Sequence, residues 1–149
     1  MDISTRGLDV LFIAGFGPVP RNVGDSKALY QEALGLPIKP MEGNEDYLLA
    51  EHGALDGAKH FALWPLYQAA QSCFGTEAWP ADIPAPQSWI EFEVADLDSA
   101  TRVLREKGYA LLVDNRLEPW GQSITRFLSP EGILVGLSIT PWLRDLLLM

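Results

Sequence analysis

Cysteine is almost absent from this chain, which has Cys73 as its single cysteine among 149 residues. One cysteine can form neither an intramolecular disulfide nor a multi-cysteine metal site, so a reducing cytoplasm suits the composition best. No apolar run approaches the roughly 18 residues that a membrane span needs. The first residues, Met1–Arg6, lack the basic-then-apolar order of a signal peptide. The sequence therefore predicts a cytoplasmic protein that does not associate with membranes.

Basic residues are also scarce, with 11 Lys and Arg against 20 Asp and Glu, which gives a formal charge of −9. Nucleic acids are held mainly by Lys and Arg on phosphates, so this balance argues against a nucleic-acid partner. It favours a cationic or neutral small molecule over an anion. The sequence also lacks a Ser-His-Asp arrangement, a phosphate-binding glycine loop and a dinucleotide fingerprint.

The same order of secondary-structure elements is predicted twice along the chain. In each half an apolar strand precedes a helix that begins with Asp-Ser, and a glycine lies ten residues after that Asp. Asp25 is the expected N-cap of the first helix. The predicted elements are strands at Leu8–Phe16, Ile38–Met41, Tyr47–Glu51, Ala58–Trp64, Trp89–Val94 and Tyr109–Val113, helices at Asp25–Gly35 and Asp98–Gly108, and a final hairpin.

The final hairpin joins the apolar runs Ile124–Leu128 and Ile133–Ile139 through Ser129-Pro130-Glu131-Gly132. Serine at the first position can hydrogen-bond nearby backbone, proline presets φ at the second, and glycine suits the fourth position of a type I turn. This pattern is typical of a β-hairpin.

The halves are separated by a proline-rich stretch, residues 68–87, which we interpret as a linker or long surface loop. The predicted organisation is a first βαβββ module at 1–67, that linker, a second module at 88–142, and a short C-terminal helix or tail at 143–149 opened by Pro141. The fold class is α+β, with two βαβββ modules forming a curved mixed sheet around a concave pocket.

Several of these features resemble the glyoxalase/bleomycin-resistance/dioxygenase superfamily, also called vicinal oxygen chelate. They are the repeated βαβββ frame, Val94-Ala95-Asp96-Leu97-Asp98 before the second helix, Trp120-Gly121, and the Ser-Pro-Glu-Gly turn. The resemblance implies paired modules, commonly as a homodimer, with a small-molecule site in the concave sheet. The family turn usually reads Asp-Pro-x-Gly, and Ser129 departs from it while preserving the turn chemistry.

Metal-dependent members of that family hold a divalent cation with His or Glu on inner strands. The corresponding positions here carry Val10, Trp89 and Gly136, none of which can ligate through its side chain. We therefore expect no metal cofactor at the usual site.

Eight residues are candidates for binding a ligand. The aromatic ones would supply stacking walls, or would simply pack in the core. The two glutamates alternate with apolar residues on the strand face opposite the helix, either at a solvated rim or in the pocket, and the arginine would orient a carboxylate or pair with an acidic neighbour. The histidine faces either the pocket or the helix, whereas His52 is expected in an exposed loop. The candidates are Phe12, His60, Phe61, Trp89, Glu91, Glu93, Trp120 and Arg126.

The leading hypothesis is a metal-independent binding protein of the bleomycin-resistance type that sequesters a small, partly aromatic molecule, neutral or cationic. Such a protein needs affinity and no chemistry, and no catalytic residue is assigned. The alternative is a metal-dependent lyase or dioxygenase with displaced ligands such as His60, Glu91 and Glu93. A third reading is an interaction module whose cavity is filled.

Overall fold

The computed structural model describes residues 8–145. It is an α+β protein with one eight-stranded mixed sheet in the order β2-β3-β4-β1-β5-β8-β7-β6. Each half has the predicted βαβββ order, with one additional helix between the halves and one at the end. The predicted fold class is therefore confirmed. Its described residues form two compact units, Gly15–Trp89 and Ile90–Asp145 together with residues 8–14.

In the unit Gly15–Trp89, the helical face of the sheet is covered by Tyr30, which packs on a core of Ile38, Leu48, Ala50, Phe61 and Leu63. Strand β4 pairs parallel with β1 and antiparallel with β3. The elements are β1 (Val10–Pro18), which begins in the other unit, α1 (Val23–Lys27), a π-helical segment (Ala28–Ala33), β2 (Ile38–Met41), β3 (Asn44–Ala50), β4 (Phe61–Leu63) and α2 (Leu66–Phe74).

Two details of this unit differ from the sequence prediction. The N-cap of α1 is Asn22 rather than Asp25, because the Asn22 side chain accepts a hydrogen bond from the Asp25 backbone N–H at 2.9 Å. Helix α2 occupies the first part of the stretch interpreted as a linker, and it buries Ala69, Ala70 and Cys73. His52 lies in an exposed turn, as expected.

In the other unit, helix α3 covers one face of four strands, of which the last three pair antiparallel. Its N-cap is Asp96, two residues before the predicted start, and Leu97, Ala100 and Leu104 pack on Val94 and Leu137 of the sheet. The elements are β5 (Ser88–Val94), which begins in the first unit, α3 (Leu97–Glu106), β6 (Leu111–Leu117), β7 (Ser123–Leu128), β8 (Leu134–Ile139) and α4 (Pro141–Asp145).

The predicted hairpin is confirmed as β7 and β8, which pair in register from Ser123–Ile139 to Leu128–Leu134. The Gly132 backbone N–H donates to the Ser129 carbonyl at 2.9 Å, and the Ile133 N–H donates to Ser129 Oγ at 2.9 Å. Gly132 has φ +90°, a conformation that favours glycine.

Helix α4 begins at Pro141, as predicted, while residues 146–149 of the predicted tail lie outside the described residues. None of the helices between residues 8 and 145 is both long and apolar enough to cross a membrane.

Candidate functional site

The sheet face opposite α3 carries three of the eight candidate residues. Side chains alternate along a strand, and Phe92 of β5 packs against the α3 core. Glu91 and Glu93 therefore project from the other face, as predicted. On β7, Thr125 bonds Thr101 of α3, so Arg126 also projects away from the helix.

Arg126 is 2 % exposed and lies between two acidic side chains. Its Nη1 is 3.2 Å from Glu118 Oε1, and its Nη2 is 3.5 Å from Glu91 Oε2. Arg116 donates from Nη2 to the same Glu118 oxygen at 2.7 Å. Two arginines and two glutamates thus form a charge-balanced cluster, which is how buried ions are tolerated. The reading of Arg126 as the partner of acidic neighbours matches these contacts.

Gln122 connects this cluster to the surface and to the end of β8. Its Nε2 donates to Glu91 Oε1 at 3.0 Å and to Thr140 Oγ1 at 2.9 Å. Its Oε1 accepts from the indole N–H of Trp120 at 3.0 Å. Trp120 is 50 % exposed. Its indole is therefore held by the hydrogen bond from its N–H while the rest of the side chain is partly open to solvent.

Glu93 is fully buried and has its own set of partners. Ser138 Oγ donates to its Oε1 at 2.9 Å, and the Thr140 backbone N–H donates to its Oε2 at 2.5 Å. Arg144 Nε of α4 donates to the same Oε2 at 2.7 Å. Glu93 is therefore satisfied within the protein and is not a residue of a solvated rim.

Burial raises the pKa of the Glu91 carboxyl, and this effect outweighs the opposing effects of Arg126 and of the Gln122 hydrogen bond, which lower it. The Arg126 contact is long for an ion pair, which limits its opposing effect. The Glu91 carboxyl thus holds a proton more readily than usual.

In the unit Gly15–Trp89, the face opposite the helical segment is aromatic. His60 Nε2 lies 2.8 Å from the Tyr47 hydroxyl, and the His60 ring centroid is 6.1 Å from that of Trp89. Burial lowers the pKa of His60, so the neutral imidazole is favoured. Trp89 is 3 % exposed, donates from its indole N–H to the Ala62 carbonyl, and packs edge-on against Trp64.

The structure therefore places the eight candidates in different surroundings. Glu91 and Arg126 are in contact, with Trp120 connected through Gln122 and Glu93 through Thr140. His60 and Trp89 are neighbours within their own unit. Phe61 is a core residue beneath Tyr30 and in edge contact with Phe16, and Phe12 is partly buried in β1.

The sequence reading missed the partners of these residues. They are Tyr47, Glu118, Gln122, Thr140 and Arg144. The one available signal was the alternation of β5, which required polar partners for Glu91 and Glu93 somewhere in the chain.

A side chain at the position of the expected metal ligand on β8 would have to displace its neighbours. A Cβ placed on Gly136 would lie 2.9 Å from Ile124 Cδ1 and 3.0 Å from Glu91 Cγ. Among residues 8–145, no three His, Cys, Asp or Glu side chains are placed to hold a metal ion together. The donor set of this face therefore does not fit the family's divalent cation.

Comparison with protein-family models matches residues 19–137 to the glyoxalase/bleomycin resistance protein/dioxygenase superfamily. The chain belongs to this superfamily. The matched range contains Trp120, β7 and most of β8. A search of curated proteins found no match.

Solved structures show the same fold at low sequence identity. Methylmalonyl-CoA epimerase from Mycobacterium tuberculosis is 19% identical with a TM-score of 0.56, and the match covers 91% of this chain and 93% of that one. A superfamily member from Vibrio splendidus 12B01 is 15% identical (TM-score 0.52, 83% and 94% covered). A protein described as NAD-dependent benzaldehyde dehydrogenase from Legionella pneumophila is 12% identical (TM-score 0.54, 83% and 96% covered). Names this diverse on one fold mean that the fold does not assign an activity.

Proposed function

We propose that this superfamily member is a metal-independent small-molecule-binding protein of the bleomycin-resistance type, which sequesters an aromatic compound that is neutral or cationic. The observation that carries the proposal is Trp120. Its indole is half exposed, yet it is fixed by Gln122 to the buried cluster of Glu91, Glu118 and Arg126. A rigid aromatic surface at a polar site is suited to stacking a planar ligand.

The loop that carries Trp120 is itself fixed by backbone hydrogen bonds. The Glu118 N–H donates to the Gln122 carbonyl at 2.7 Å, and the Gly121 N–H donates to the Glu118 carbonyl at 2.9 Å. Such a loop loses little conformational freedom when a ligand binds, and this favours affinity. A cation over the indole face would gain further stabilisation, and the net charge of −9 would attract it.

Metal independence is supported by the partners of the alternative ligands. A lyase or dioxygenase with displaced ligands would need His60, Glu91 and Glu93 to release their present contacts. Those contacts are a tyrosine hydroxyl for His60, Arg126 and Gln122 for Glu91, and three hydrogen bonds for Glu93. Stacking of a ligand on Trp120 requires none of these contacts to change.

The test is a titration with ethidium, a planar aromatic cation, in the presence of a chelator. We expect saturable binding that Trp120→Ala weakens about tenfold, the equivalent of roughly 1.4 kcal/mol. Trp142→Ala is the matched control, because Trp142 is 48 % exposed on α4, and it should bind as the unaltered protein does. Equal affinities for the two variants, absence of binding, or a requirement for added Ni²⁺, Zn²⁺ or Fe²⁺ would each overturn the proposal.

A further inference from the structure

Glu93 is a buried carboxylate whose charge is neutralised from the end of the chain. It projects from the middle of β5, and Ser138 and the Thr140 N–H bind it from β8. Among the described residues, the cation that reaches it is Arg144 on α4. Taking a buried carboxylate out of water is costly unless a cation and hydrogen bonds compensate it. The groups around Glu93 therefore include two neutral hydrogen-bond donors, from Ser138 and Thr140, and one cation, Arg144.

That positive group is a guanidinium held at two points. Arg144 Nε donates to Glu93 Oε2, and its Nη2 donates to the Val94 carbonyl. Whereas Glu93 is fully buried, the Arg144 side chain is 30 % exposed. The Arg144 side chain thus reaches from the surface to the buried Glu93 carboxylate. A free guanidinium or ammonium group in place of the Arg144 guanidinium would meet the same two acceptors.

Helix α4, which supplies Arg144, lies at the end of the described residues, at Pro141–Asp145. It is held by the Leu143 and Arg144 N–H groups, which both donate to the Thr140 carbonyl, by the burial of Leu143, and by the Arg144 ion pair. Displacing the ion pair would remove one of these attachments.

We propose that Glu93 and the Val94 carbonyl form a cation subsite for a ligand's guanidinium or protonated amine, and that Arg144 occupies this subsite as an internal substitute. An external cation binds by displacing the Arg144 side chain, which loosens α4. Thr140 adjoins the subsite and bonds Gln122, so the subsite is linked to the loop of Trp120. The subsite does not depend on stacking at Trp120, and its test uses a probe without an aromatic group.

The first experiment removes the internal occupant. Arg144→Ala should lower the Tm, and methylguanidinium should raise it again by about 3–6 °C at about ten times its Kd. The double variant Arg144→Ala/Glu93→Gln should show no such rise, and urea at the same concentration should not replace methylguanidinium. Arg105→Ala, which loses an exposed ion pair with Asp114, is the control for general salt effects.

If Arg144→Ala does not fold alone, the measured quantity becomes the folded fraction recovered on dilution from urea with and without methylguanidinium. Recovery that depends on the probe and on Glu93 supports the subsite. Absence of recovery, or equal recovery of the double variant, overturns it.

The second experiment uses the unaltered protein and asks whether a cation displaces Arg144. Leu143 is buried, so chymotrypsin should cleave after it slowly. Methylguanidinium should accelerate that cleavage, and the acceleration should be lost in Glu93→Gln. A cleavage rate that is insensitive to methylguanidinium would overturn the displacement of Arg144, whatever the outcome of the ethidium titration.

Discussion

Arg126 lies directly opposite Gly136 in the β7–β8 ladder. The residue without a side chain is thus paired across the strands with a buried guanidinium whose carboxylate partners are Glu118 and Glu91. Gly136 is where the family resemblance places a metal-ligating glutamate. In this chain the position carries no carboxylate, and its cross-strand neighbour is the buried Arg126. This arrangement has consequences that can be measured.

Replacing Arg126 should be among the more destabilising single changes on this face. Arg126→Met keeps most of the volume but leaves Glu91 and part of Glu118 without their cation, which should cost about 3–5 kcal/mol of unfolding free energy. Urea denaturation measures the loss. Arg105→Ala breaks an exposed pair with Asp114 and should cost about 1 kcal/mol or less. Similar losses for the two variants would show that the buried cluster contributes no more than a surface pair.

Much of the fold could be predicted because its signals are local. The turn from Ser129 to Gly132 has a preferred residue at each position, and β2 has the bounds predicted from the sequence. Helix α2 was missed because its apolar residues, Ala69, Ala70 and Cys73, are small and lie next to the proline-rich stretch. Small residues give only a weak helical hydrophobic pattern in the sequence, although they are buried in the structure.

The candidate site could be predicted only in part, because its partners are distant in sequence. The alternation of β5 assigns Glu91 and Glu93 to the correct face. Their burial depends on Arg126 and Arg144, which lie 35 and 51 residues further along the chain. No local pattern indicates those pairings. For the same reason Phe61 was grouped with the site, although its neighbours are the helix-facing core residues.

The corrected start of α1 gives a second prediction. Asn22→Ala removes the side-chain acceptor of the Asp25 N–H and should cost about 1 kcal/mol. Asp25→Ala is the control. The variant keeps the backbone N–H at position 25 that Asn22 caps, so it should lose clearly less stability than Asn22→Ala. Both are measured by thermal unfolding. A larger loss for Asp25→Ala would restore Asp25 as the cap.

A methyl group at Gly136 should destabilise the protein. Gly136→Ala brings Cβ within 3.0 Å of Ile124 Cδ1 and of Glu91 Cγ, and such overpacking costs about 1–3 kcal/mol. Adding Ile124→Val removes one of the two clashing atoms and should lower the cost of the alanine, which a double-mutant cycle measures. Gly24→Ala is the matched control on α1, where the nearest atom lies at 3.4 Å, and there alanine should stabilise by about 0.5–1 kcal/mol. A cost for Gly136→Ala that does not change with Ile124→Val would place the clash elsewhere.

The raised pKa of Glu91 gives the stability a defined dependence on pH. The folded protein binds this proton more tightly than the unfolded chain, whose Glu pKa is about 4.3. Stability therefore falls as pH rises from that value through the raised pKa of Glu91. Glu91→Gln removes this contribution, so the stability of the variant relative to the unaltered protein should increase across the same window.

Urea unfolding at successive pH values measures this difference, and Glu131→Gln is the control of opposite sign. A hydrogen bond with Ser129 lowers the pKa of the exposed Glu131 carboxyl, so its small contribution is present above the unfolded value and is lost as pH falls. The relative stability of Glu131→Gln should therefore decrease as pH rises. If the stability of Glu91→Gln relative to the unaltered protein also stayed constant or decreased as pH rises, the effect of Arg126 on the Glu91 pKa would outweigh that of burial.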